Sequence, residues 1–163
     1  MGFLRLKIGI QCRNISSDDS LQKQIDSFIN DSLNIKIALL HGDFAPKNIL
    51  TWDNKYLFID FEESSYADPA LDIGYFLAHI YIHYFITNNF QFINAADIVM
   101  KVYLEHIQFS DNNFIVRIVK FAGIFVLSRI DSKANADYIT DESVKRELRD
   151  FGKRLFLNEK ISI

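Results

Sequence analysis

Residues 39–72, LLHGDFAPKNILTWDNKYLFIDFEESSYADPALD, constrain this chain more than any other stretch. A polar loop, His41-Gly42-Asp43 through Asn48, lies between two short apolar runs, 38–40 and 49–52. A turn at Asp53-Asn54-Lys55 follows, and residues 56–59 lead into a second carboxylate, Asp60. Strand-like runs on either side of Asp-Asn predict a β-hairpin. Asp43 and Asn48 leave one strand end and Asp60 leaves the next, so the three are expected to converge on one point. Two carboxylates and an amide around one point suit a hard, oxygen-preferring cation such as Mg²⁺ with a phosphate attached.

HGDFAPKN at 41–48, IDFE at 59–62 and DPALDIGYFLAH at 68–79 resemble the catalytic core of the aminoglycoside phosphotransferase / choline kinase family. Those enzymes are small-molecule relatives of protein kinases. The order and the Asp-to-Asn step are similar to H-R-D-x-x-x-x-N followed by D-F-G. The resemblance implies an α+β, mainly helical fold: a protein-kinase-like C-terminal lobe with a small β-hairpin at the active site. It implies that Asp43 is the catalytic base, that Asn48 and Asp60 hold Mg²⁺ and the phosphates of ATP, and that Asp72 buttresses the loop. RIDSKANADYI, from Arg129, also resembles a segment near the C-terminus of some members, so the likeness runs from about residue 37 onward. Of the remaining loop residues, His41 is expected to hydrogen-bond within the loop and fix its shape, not to serve as a base. Gly42 should let the backbone pass close beside Asp60, and Pro46 should stiffen the approach to Asn48.

At 163 residues one domain is expected, with a strand and helix in 1–36, the catalytic and metal-binding segment in 37–72 and a helical part in 73–163. Lys and Arg are scattered and the net charge is −3, which argues against a nucleic-acid surface. A single cysteine, Cys12, excludes an internal disulfide and reads as a small structural residue. The apolar stretches 71–86 and 114–130 carry Asp72, His79, His83, Arg117, Lys120 and Arg129, so both read as buried helices and not as membrane spans. With no targeting segment in view, the cytoplasm is the expected compartment.

Alternation over 3–10 suggests a strand. Ser16 to Asp19 caps a helix near 18–33, and Asp68 as cap with Pro69 at the first helical position opens a helix that is apolar nearly all round from Leu71 to about Ile86. A helix over 95–107 should turn Ile98, Val102 and Leu104 inward. Another should run from Asp111-Asn112-Asn113 to about Arg129, with a more polar line through Arg117, Lys120 and Ser128. The last, from Thr140-Asp141-Glu142, carries Val144, Leu148, Phe151 and Leu155 on its apolar face. His79 and His83, one turn apart, read as hydrogen-bonded core histidines and not as a metal pair. Lys47 reads as an exposed loop lysine, alternatively in contact with a phosphate, and Glu62 and Glu63 as loop carboxylates, with Glu62 alternatively near a second ion. Arg129 and Asp131 either face the substrate cleft, by the resemblance, or form a local ion pair or cap.

The glycine-rich loop, strand lysine and helix glutamate with which kinase-like enzymes hold ATP have no counterpart before His41. A nucleotide-side lobe is therefore expected on another chain or lost from this reading frame, with that second chain or a second copy over the bare face. Two functions follow: a phosphotransferase acting on a small-molecule hydroxyl, or a non-catalytic remnant that binds a partner through the cleft or the lobe face. Asp43, Asp60, Glu62 and Glu63 would make the cleft acidic and suited to a cationic acceptor.

Overall fold

The computed structural model describes residue 12 and residues 14–108, 111–132 and 136–159; the strand expected over 3–10 lies outside them. In chain order these residues form α1 (Asp19–Ser32), β1 (Ala38–Leu40), a 3₁₀ turn (Pro46–Asn48), β2 (Ile49–Trp52) and β3 (Lys55–Phe58). A second 3₁₀ turn (Phe61–Glu63) and β4 (Ser65–Ala67) lead into α2 (Ala70–Thr87), α3 (Gln91–His106), α4 (Phe114–Asp131) and α5 (Glu142–Leu157). The chain is mainly helical with two small antiparallel sheets, an arrangement compatible with α+β.

The hairpin turns on two residues, not three. Asp53 and Asn54 both adopt positive φ, 48° and 56°, which matches the right-handed twist of the flanking strands. Lys55 is thereby released into β3, opposite Trp52, and the strand ends at Phe58. The second sheet pairs β1 with β4, Ala38 opposite Ala67 and Leu40 opposite Ser65. That pairing closes the whole excursion from His41 to Ser64 at its base, and α2 starts three residues beyond.

Beneath this ribbon, α2 and α4 form the centre. Leu71, Ile73, Leu77, Ile80 and Ile82 are buried on α2, and Ile118, Phe121, Ile124 and Leu127 on α4. At Gly123 a Cβ would stand 2.6 Å from the Gly152 carbonyl oxygen and 2.7 Å from the Phe156 nitrogen, so only glycine lets the α4 and α5 backbones approach this closely. Leu148, Phe151 and Leu155 of α5 face that contact, with Val144 partly buried beside them. Helix α1 is capped by Asp18, whose Oδ1 accepts from Ser20 N–H at 2.8 Å. Cys12 is buried, and burial followed by the Asp26 charge pushes its thiol up to about 12, which makes it unreactive.

Three local expectations fail, each through tertiary packing. Helix α3 starts at Gln91, and Ile98 and Val102 are exposed; Leu104 faces the core as expected, but its companions there are Ala96, Val99, Met100 and Tyr103. The inward stripe is rotated because α3 packs on one flank of α2 and leaves its other side open. His83 is exposed and stacks on Phe92 and Tyr138. Arg117, expected on a polar line, is buried: its Nε lies 2.6 Å from Asp68 Oδ2 and its Nη1 2.6 Å from Asp111 Oδ2. Asp68 still serves the start of α2, accepting from Ala70 N–H at 3.1 Å, but Pro69 occupies the cap position and the helix begins one residue later. Among the described residues no helix is long and apolar enough to cross a membrane.

Candidate active site

The loop from His41 to Asn48 is held from three directions. Its entry is tied to α2: His41 N–H donates to Asp72 Oδ2 at 2.7 Å and Gly42 N–H to Asp72 Oδ1 at 3.1 Å. Asp72 lies in the first turn of α2, where the helix dipole favours a carboxylate. Gly42 has φ +86°, and a Cβ there would stand 2.3 Å from the Glu63 carbonyl oxygen. The close neighbour is thus Glu63, not Asp60 as expected. Gly42→Ala should cost at least about 1–3 kcal/mol from the backbone conformation alone. A urea midpoint equal to that of the parent would contradict this account of the loop.

The His41 ring locks the middle. Its Nδ1 accepts from Asp43 N–H at 3.3 Å and its Nε2 lies 2.8 Å from the Ile59 carbonyl oxygen, an arrangement satisfied by the Nε2–H tautomer. Both ring nitrogens are engaged, and the ring packs 4.4 Å from that of Phe61. The exit is set by Pro46, which opens the 3₁₀ turn and brings Asn48 over Asp43. Asn48 Nδ2 donates to both the Asp43 carbonyl oxygen (2.8 Å) and Asp43 Oδ2 (2.9 Å). Ala45, between them, is fully buried.

Asp43 and Asn48 are themselves buried, 8% and 4% exposed, so their mutual bonds are made out of bulk water and weigh more for it. Lys47 Nζ stands 3.1 Å from Asp43 Oδ2 while its side chain is 64% exposed. Lys47 is thus the exposed loop lysine expected, and it also forms an ion pair with Asp43. Asp60 is placed by its neighbour: Ile59 N–H donates to the Asn48 carbonyl oxygen at 3.1 Å, and Ile59 O receives the His41 ring. Asp60 itself takes φ 71° and ψ 51°, is exposed, and takes no part in the bonds joining Asp43 to Asn48. The fold thus brings Asp43, Lys47 and Asn48 into contact and sets Asp60 on the adjoining backbone.

Both bonds from the Asn48 amide nitrogen go to Asp43, and the Oδ1 of Asn48 takes no part in them. Asn48 Oδ1 and the Asp60 carboxylate are donors of the chemical type that Mg²⁺ takes. Among the described residues no three His, Cys, Asp or Glu side chains gather into a metal cage. Mg²⁺ held by one or two protein oxygens, waters and substrate phosphate has no need of one. An apolar groove of about 340 Å³ adjoins the loop, bounded by Leu39, Phe44, Phe58, Phe61, Asp72 and Tyr103.

A cluster on α2 and α4 joins Arg129 and His79 to Tyr75, the one of the three that the sequence reading did not single out. The Tyr75 hydroxyl accepts from Arg129 Nη2. Burial pushes the phenol upward, so it stays protonated and a donor at neutral pH. His79 Nε2 lies 3.5 Å from Arg129 Nη2, and burial followed by the Arg129 charge lowers it to about 4, leaving it neutral. Arg129 and Asp131 part company: Asp131 pairs with Arg149 at 2.9 Å. One signal was available, since Asp72, Tyr75 and His79 at i, i+3 and i+7 share one face of an otherwise apolar helix.

A buried Asp–Asn loop with an adjoining second Asp is the kind of site in which phosphoryl groups are handled. The sequence model of the phosphotransferase enzyme family (APH) matches residues 13–94, about half of the chain, and covers His41 through Asp72. The chain belongs to that family. No curated protein matches it.

Proposed function

We propose that this chain is the catalytic lobe of a small-molecule phosphotransferase, built like the C-terminal lobe of a protein kinase, with 37–72 as its catalytic segment. The observation that carries the reading is the buried Asp43–Asn48 pair, joined by two hydrogen bonds from one amide. Asp43 takes the hydrogen bond and then the proton of the acceptor hydroxyl. The freed oxygen attacks the γ-phosphorus of ATP, the bond to the β–γ bridging oxygen breaks, and ADP leaves. Asn48 and Asp60 would hold Mg²⁺, which when bound offsets charge on the phosphate oxygens. Lys47 adds a cation beside Asp43, where the transferred group must pass. His41 and Asp72 keep the loop in shape. The reading places the protein in the cytoplasm, where ATP is abundant.

The hairpin and its surroundings support a second lobe or a second copy over this face. Leu39, Trp52, Tyr56 and Leu57 are between 60% and 83% exposed, a strip of apolar surface of the kind that marks an interaction site. The same strip favours the alternative, a non-catalytic module that binds a partner there. One experiment separates them. The chain together with the polypeptide that completes its nucleotide side should release ADP only when Mg²⁺ and a hydroxyl acceptor are both present. Asp60→Asn should lower kcat by about 10²-fold or more, the loss of a few kcal/mol of charge stabilisation. Turnover indifferent to EDTA and to Asp60→Asn would sink the reading, and stable association without turnover would establish the module.

A further inference from the structure

We propose that the cavity where the loop before α1 meets the end of α4 and the face of α5 binds a phosphate group, free or carried by a small metabolite. The cavity has a volume of about 370 Å³, with residues 14–17 on one wall and Asp131, Arg149 and Lys153 on the other. That is enough room for a small organic ligand. It shares no residue with the loop from His41 to Asn48 or with the apolar groove beside that loop. Arg129 and Asp131 are two positions apart on α4, so they point to different sides of the helix, one to Tyr75 and the other to this cavity.

The sign of the ligand follows from what the walls leave over. Asp131 is the one carboxylate among the described lining residues, and Arg149 engages both its oxygens. Arg149 Nε lies 2.9 Å from Oδ1 and 3.0 Å from Oδ2, and Nη2 lies 2.9 Å from Oδ1. This pairing fixes the guanidinium and cancels the carboxylate charge, yet uses only two of the five guanidinium hydrogens. Lys153 stands one turn further along α5 and has no ion pair among the described residues, so its charge is left over. The opposite wall adds the hydroxyls of Ser16 and Ser17. Ser16 Oγ accepts from Asp18 N–H at 3.1 Å, which leaves its own proton to donate. That wall is already held in place. Gln22 Oε1 accepts from Ile15 N–H at 3.1 Å and from Ser16 N–H at 3.3 Å, and Gln22 Nε2 donates to the Cys12 carbonyl oxygen. The first amides of α1 are occupied by Asp18, so the donors offered to a ligand are side chains. A held guanidinium, an ammonium and two hydroxyls around one space suit the several oxygens of a phosphate dianion.

NMR titration of the full chain at constant ionic strength tests this without any turnover, and so independently of the role of Asp43. Inorganic phosphate and glycerol 3-phosphate are the probes, with chloride as the reference anion. Saturating shifts should appear at the Ser16 and Ser17 amides and at the Arg149 Nε–H, and chloride should not reproduce them. Lys153→Met should weaken binding of both probes by about tenfold, the loss of one charge-assisted hydrogen bond. Lys153→Arg, which keeps the charge, should bind within a few-fold of the parent. Tighter binding of glycerol 3-phosphate would identify an organic phosphomonoester as the ligand, and equal or weaker binding would identify free phosphate. No saturation with either probe, or an affinity unmoved by Lys153→Met, would overturn the proposal.

Discussion

Asp43→Ala should lower kcat by about 10²–10⁴-fold, the range a positioned general base supplies. The physical reason is narrow. The acceptor hydroxyl is a poor nucleophile while it keeps its proton, and Asp43 is the carboxylate buried at the centre of the loop. KM for ATP should change little, because Asn48, Lys47 and Asp60 remain. Asp43→Asn is the sharper variant. It keeps the shape and an oxygen for the Asn48 amide, yet cannot accept the proton. Equal losses in the two variants, with an unchanged urea midpoint, would assign the effect to chemistry. Turnover by Asp43→Asn within a few fold of the parent would remove Asp43 from the role of base.

Arg117→Met should destabilise the fold by about 3–5 kcal/mol, since it leaves a buried carboxylate without its cation. Asp68 is 1% exposed and is bound by Arg117 through two nitrogens, at 2.6 and 3.3 Å. For a domain of this size the loss should lower Tm by about 10 °C or more. Asp111→Asn should cost much less, because its partner keeps Asp68 and its own site is more open. Adding Asp68→Asn to Arg117→Met should recover part of the loss by removing the stranded charge. If Arg117→Met unfolds at the parent temperature, the ion pair does not hold the start of α2. The consequence reaches the site, because Asp72 rides on that same first turn and holds the His41 and Gly42 amides.

Local chemistry was readable wherever a signal and its consequence lay within a few residues. Asp53-Asn54 between two apolar runs made the hairpin legible, and Asp18 and Asp141 announced their helices, each accepting from backbone N–H groups just beyond. The loop was equally open to reading. Histidine, glycine and proline around Asp43 and Asn48 leave few backbone paths, and the five-residue step puts the amide within reach of the carboxylate. By contrast, the inward face of α3 was misjudged at Ile98 and Val102. An amphipathic helix shows that it has an apolar side, but where two apolar stripes compete its neighbours choose between them.

What the sequence determined by itself was the segment from His41 to Asp72: its turn residues, its caps, the order Asp43, Asn48, Asp60, Asp72, and membership of a phosphotransferase family. Each of these depends on backbone preferences and short spacings, which act before the chain has collapsed. Only the tertiary structure decided what surrounds that segment. Arg117 meets Asp68 across 49 residues, Arg129 meets Tyr75 across 54, and Glu63 instead of Asp60 closes on Gly42. Such contacts arise from how α2 and α4 pack, and long-range packing is a property of the whole core that no local pattern encodes.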